Sequence, residues 1–199
     1  MIWFRLPPGY FPVDLEDLDD WQERLTAATA LLQDATEPPE APGTATLRRL
    51  LGSLTEHGVT YAAFGLHPSE AGTFCVSLLS VAEVDTRAPG PAAAAARCAL
   101  ALAGAGAGLV RERALVHLTC GTPAALVTSL LPDGTFQARL AVARPAGPEA
   151  VLMDLTTPAA EQAAGYTDIL LAVGQTVAFT DPDAPTAPRS QGSRLDELM

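Results

Sequence analysis

Two hydrophobic rhythms divide the chain. Over residues 19–33, "DDWQERLTAATALLQ", Trp21, Leu25, Ala28 and Leu32 recur at helical spacing, and Asp19 and Asp20 stand at the amino end, where a helix dipole favours negative charge. Leu47, Leu50, Leu51 and Leu54 mark a second helix, which Gly58 is placed to close in a left-handed conformation. The intervening "DATEPPEAPGTAT", rich in Pro and small residues, predicts a mobile loop. From Val59 the period changes to two. "VTYAAFGL" and "TFCVSLLSVAEV" predict a hairpin joined through "HPSEAG", with Phe74, Val76, Leu78, Ala82 and Val84 sharing one face of its second strand.

After Pro91 an Ala-rich helix is expected, followed by four strands at "RALVHLTC", "AALVTSLL", "TFQARLAVA" and "AVLMDL", the middle two joined by a tight turn at Pro132-Asp133-Gly134. In the third of these Phe136, Ala138, Leu140 and Val142 face one way, and Gln137 and Arg139 the other. Thr157 then reads as an N-cap with Pro158 at the first helical position, and Tyr166, Ile169, Leu170 and Val173 form an apolar stripe along the helix. A strand over Ile2 to Leu6, ended by Pro7-Pro8-Gly9, and an edge strand at "QTVAF" complete the set. Together they predict an α+β fold, an antiparallel sheet of about six or seven strands layered with helices. The expected organisation is a single domain over residues 1–182 and a disordered, acidic, Pro-rich tail over 183–199.

Composition narrows the function classes. With 199 residues, 48% of them hydrophobic, the chain can bury a sizeable core. A net charge of −11 has the wrong sign for gripping nucleic acid or an anionic membrane, so neither is an expected partner. All 12 cations are Arg and there is no Lys or Asn, a composition of GC-rich bacterial coding. The opening "MIWFRLPPGYFPV" lacks the apolar run of a secretory leader, and a cytoplasmic location is expected. Residues 92–110 approach bilayer length, but they are mostly Ala and Gly and include Arg97, which points to a buried helix instead of a span. Cys75, Cys98 and Cys120 are odd in number and scattered, as free thiols in a reducing compartment would be.

Candidate chemistry is sparse. His117 and Cys120 invite a Cys/His nucleophile, yet side chains three apart on a strand point to opposite faces. His67, with Glu70 nearby, reads as a loop histidine, and His57 fits the carboxyl end of a helix. No Cys or His spacing matches a metal site, so no metal and no cofactor is expected. Gly104, Gly106 and Gly108 in "GAGAGLVRER" follow a helix where a phosphate loop would follow a strand, and they predict a helix-ending joint. There is no G-x-S-x-G, and Ser53, Ser77 and Ser80 fall within expected helix or strand. The acidic run Asp14, Glu16, Asp17, Asp19, Asp20 and Glu23 is the candidate partner-binding surface, set against its role as a solvated face with helix N-terminal charge.

The order of pieces resembles a family. "RLPPGY", the early helix, the hairpin "VTYAAFGLHPSEAGTFCVSLLSV", "CGTPAAL", "LPDG", and "VLMDLTTP" leading through the Tyr166 helix to "TVAF" resemble actinobacterial relatives of the PsbP-like fold over residues 1–182. That fold is shared by the photosystem II extrinsic subunit, a Ran-binding import factor and LpqN-type mycobacterial lipoproteins. The resemblance implies an α/β/α sandwich, no catalytic residues, and a non-enzymatic accessory or adaptor role in binding another protein. Association with a secretion or toxin system, type VII in particular, is an expectation drawn only from the kind of bacterium. The alternative is a protein that binds a small apolar molecule between sheet and helices. A hydrolase is the weakest reading, because no nucleophile, base and oxyanion donor converge.

Overall fold

A computed structural model of the chain describes residues 2–17, 21, 58–68, 74–104 and 108–181. Among these residues seven strands form one antiparallel sheet: β1 (Tyr10–Val13), β2 (Val59–Pro68), β3 (Phe74–Asp85), β4 (Leu109–His117), β5 (Pro123–Leu130), β6 (Phe136–Ala143) and β7 (Glu149–Thr157). Two helices, α1 (Pro91–Gly104) and α2 (Ala163–Gln175), and a 3-10 turn at Ala160–Gln162 accompany it. The strand order β1-β2-β3-β7-β6-β5-β4 joins two meanders, β1 to β3 and β4 to β7, along a β3–β7 seam where Leu79 faces Leu155 and Val81 faces Met153. The chain reaches the far edge of the sheet through α1 and then returns strand by strand to the middle.

The inner strands of the second meander, β5 to β7, are largely apolar on both faces, as strands covered twice must be. Leu126, Phe136, Leu140, Val142, Met153 and Leu155 point one way and pack with Tyr166, Leu170 and Val173 of α2. Ala125, Val127, Ala141, Ala143 and Ala150 point the other way and meet Ala94, Ala95, Cys98, Ala99 and Leu102 of α1. Large residues thus line the α2 side and small ones the α1 side, so the Ala-rich helix lies close against the sheet. At the other end of the α1 side Val13, Trp21, Ala62 and Phe64 make a third cluster, with the Trp21 and Phe64 rings edge to face at 6.0 Å. The α+β layering and the strand number agree with the sequence. The hairpin, the Pro91 helix, the turn before Phe136 and the stripe on α2 stand where periodicity put them, with Ile169 half-buried and its three companions sealed. Gly58 has a φ of +71°, the left-handed conformation expected of it.

Several boundaries differ. The first strand begins after the Pro7-Pro8-Gly9 break, and residues 2–6 contribute a single bridge, Trp3 with Ala178. "QTVAF" likewise adds that bridge and no strand; Phe4 turns its ring onto Tyr61 at 5.0 Å, so the opening segment packs on the core through side chains instead of joining the ladder. β4 starts at Leu109 and takes in the "LVRER" that the glycine pattern assigned to a joint. Thr157 closes β7 and is no helix cap: its hydroxyl donates to the Val76 carbonyl at 2.7 Å and accepts the Ala159 N–H at 3.1 Å, tying the end of β7 to β3. α2 begins six residues later, behind Gln162, whose side chain makes no cap bond. The helices expected over 19–33 and 47–54, the loop between them and the tail lie outside the described residues, Trp21 excepted.

Candidate functional site

The two edges of the sheet are unlike. β1 is four residues long and carries Pro12, which has no N–H to offer a neighbour, a common way of blunting an edge. β4 is nine residues long, has no Pro, and is exposed along most of its length. Leu109 is 70% exposed and Leu115 59%, and Leu100 on the adjoining α1 is 65% exposed. Arg111, Glu112 and Arg113 occupy its centre, and among the described residues no ion pair engages them. The edge therefore combines unpaired main-chain groups, apolar side chains and a local excess of positive charge on a chain of net −11. A register shift between Val110 and Glu112 bends the strand without shortening it.

Two polar clusters lie beneath the helices. On the α2 side His67 of β2 stands opposite Cys75 of β3, and the rings of Tyr10, His67 and Tyr166 follow one another with centroids 5.0 and 6.0 Å apart. The Ser77 hydroxyl donates to the Tyr10 phenol at 3.0 Å, and the Gln162 amide reaches the Cys75 sulfur at 3.4 Å. Gly65 makes the first of these bonds feasible, since a Cβ there would stand 2.3 Å from the Ser77 hydroxyl and 2.8 Å from the Tyr10 ring. His67 Nε2 is sealed without a hydrogen-bond partner, and the Tyr166 hydroxyl is sealed facing the hydroxyls of Thr157 and Ser77 without a well-formed bond to either. Burial pushes Tyr10 up to about 12, raises Tyr166 and Cys75, and lowers His67, so the cluster is electrically neutral near pH 7. A buried, protonated thiol beside a neutral imidazole is no activated nucleophile.

On the α1 side the polar residues of β6 and β7 meet. Arg139 and Asp154 are direct cross-strand partners, flanked by Ser80 and by Gln137. The Gln137 amide donates to Asp154 Oδ2 at 2.8 Å, and Arg139 Nη2 donates to the Leu102 carbonyl in the last turn of α1 at 2.7 Å. Arg139 Nε and Asp154 Oδ1 are sealed without partners. Burial lifts the Asp154 carboxyl from 3.8 to about 6, against the opposing pull of the Gln137 bond and the Arg139 charge. This polar seam separates the Ala-rich cluster under α1 from the Trp21 cluster.

The residues singled out from sequence are dispersed. Asp14, Glu16 and Asp17 are exposed just after β1, and Asp14 Oδ1 accepts the N–H groups of Glu16 and Asp17, a local turn. Asp19, Asp20 and Glu23 lie outside the described residues, as do His57, Ser53 and Glu70. His117 ends β4, while Cys120 sits in the following turn with its thiol on the Thr122 hydroxyl at 3.1 Å; no hydrogen bond links the two. The Gln137–Arg139–Asp154 seam was partly legible, because Gln137 and Arg139 break the apolar alternation of β6 and Asp154 interrupts "VLMDL". The exposed β4 edge was not, since strand order decides which strand is outermost. Among the described residues no group of His, Cys, Asp and Glu is disposed to hold a metal ion, and no helix is long and apolar enough to cross a membrane. No family model matches the chain, and no curated protein does.

Proposed function

We propose that the chain is a non-enzymatic accessory protein that holds another protein by strand addition along β4. The observation that carries this reading is the long β4 edge, unblunted by Pro and bordered by exposed Leu109, Leu115 and Leu100. An extended segment laid against it would gain main-chain hydrogen bonds, and the leucines would supply apolar contact. Arg111 and Arg113 favour an acidic segment and disfavour a second copy of β4: antiparallel self-pairing centred on Glu112 or Arg113 sets Arg against Arg. The partner is then a protein, not nucleic acid or an anionic membrane, consistent with the chain's net −11. Helices on both faces of one antiparallel sheet fit a PsbP-like sandwich, whose adaptor character supports the same conclusion. Cytoplasmic work beside a secretion or toxin system completes the proposal.

Partner capture from the native host with the wild-type chain and with L109K/L115K tests it. Both side chains are largely exposed, so the double variant should keep its circular dichroism and melting temperature while losing the protein retained by the wild type. An identical set of retained proteins would refute docking at β4. The small-molecule alternative is favoured by the sealed, unpartnered His67 Nε2 beside the Tyr166 ring; native mass spectrometry would then find a retained small mass that disappears in Y166F, and the bare chain mass refutes it.

A further inference from the structure

The α1-side seam holds an unfinished electrostatic pair. Arg139 and Asp154 are directly opposite on adjacent strands and share a face, yet no ion pair closes between them. Arg139 instead extends Nη2 to the Leu102 carbonyl, one of the carbonyls that a helix end leaves without an intrahelical partner and that a cation favours. Each side chain thus keeps one sealed group unused, Nε on the arginine and Oδ1 on the aspartate.

Protonation of Asp154 has few other controls. Its neighbour on β3 is Ser80, and on β6 Gln137 already bonds Oδ2. α1 carries one cation, Arg97, which is occupied with the Thr86 and Arg87 carbonyls. Among the described residues the charged group facing the Asp154 carboxyl is therefore Arg139.

We propose that Arg139 is a two-position clamp, holding the last turn of α1 through Leu102 when Asp154 is protonated and turning to the carboxylate, with release of that carbonyl, when Asp154 ionises. The guanidinium has five donors in a rigid fork, so turning Nε and its neighbour onto Oδ1 takes Nη2 away from Leu102. Because burial raises the carboxyl to about 6, the changeover falls between mildly acidic and neutral pH. The Leu102 end of α1 is the end that leads on to β4, but the clamp does not rest on the docking role of that strand.

Amide hydrogen exchange of the full chain at pH 5.0 and 7.5, each divided by the intrinsic rate at that pH, tests the clamp. Protection of the last turn of α1 should fall by about tenfold from the lower to the higher pH, the scale of losing a bond from a charged donor, while the first turn holds steady. D154N should keep high protection at both values. A pH-independent last turn in the wild type, or the same fall in D154N, would overturn the proposal. The Arg139 Nε–H resonance supplies a check that needs no variant to fold: it should move with the midpoint of the Asp154 carboxyl titration, and a stationary resonance also overturns the clamp.

Discussion

Leu170→Ala is the sharpest test of how α2 is held. Leu170 is fully sealed and belongs to the cluster that joins α2 to β6 and β7. Truncation removes three carbons, worth about 2.4 kcal/mol at about 0.8 kcal/mol per methylene, and adds a cavity term that depends on whether the helix can settle inward. It cannot settle readily. A Cβ on Gly174, one turn further along, would stand 2.2 Å from Leu140 Cδ2, so the backbone of α2 already rests against β6. The cost should therefore lie in the upper part of the usual Leu→Ala range, about 3–5 kcal/mol. For a domain of this size that lowers the melting temperature by about 6–20 °C. Urea denaturation should return the same loss through its midpoint with an unchanged slope. Ile169→Ala, at a half-buried position, should cost about 1–2 kcal/mol, and Asp168→Ala, at an exposed one, close to nothing. A melting temperature within 2 °C of wild type for Leu170→Ala would mean that α2 is not anchored through this stripe.

Asp154→Asn should stabilise the protein in a pH-dependent way. The folded pKa is raised, from 3.8 to about 6, so the carboxyl's stabilising contribution is complete below 3.8 and is lost as pH rises through 6. A shift of about two units sets a ceiling of about 3 kcal/mol, so the variant should gain at pH 8, gain little at pH 4, and show a flatter stability profile between; equal effects at both would refute the assignment. Of the three free thiols, Cys120 is exposed and its pKa is lowered by its bonds to Thr122, whereas Cys75 and Cys98 are buried with raised pKa values. A thiol reagent should therefore consume one equivalent quickly and two only on unfolding, and three fast equivalents would contradict the packing of β3 and α1.

Local chemistry determined most of the elements. Alternation in "TFQARLAV" and the i, i+3, i+4, i+7 stripe of Tyr166, Ile169, Leu170 and Val173 name their faces because the pleat and the helix repeat are properties of the backbone itself. Where boundaries moved, a neighbour distant in sequence had taken over. Thr157 reads as a cap because the sequence "TTP" supplies the right hydroxyl, but the Val76 carbonyl on β3 claims that hydroxyl across the sheet. "LVRER" reads as a joint after its glycines, and β5 makes it a strand by pairing with it. The same limit governs the site. Gln137, Arg139 and Asp154 could be marked from sequence as polar interruptions of apolar strands, but their meeting depends on β6 lying beside β7 in one register. The exposure of Leu109 and Leu115 depends on β4 being outermost. Periodicity is written into each segment, whereas strand order results from the competition of all the strands for partners, and only the assembled sheet decides it.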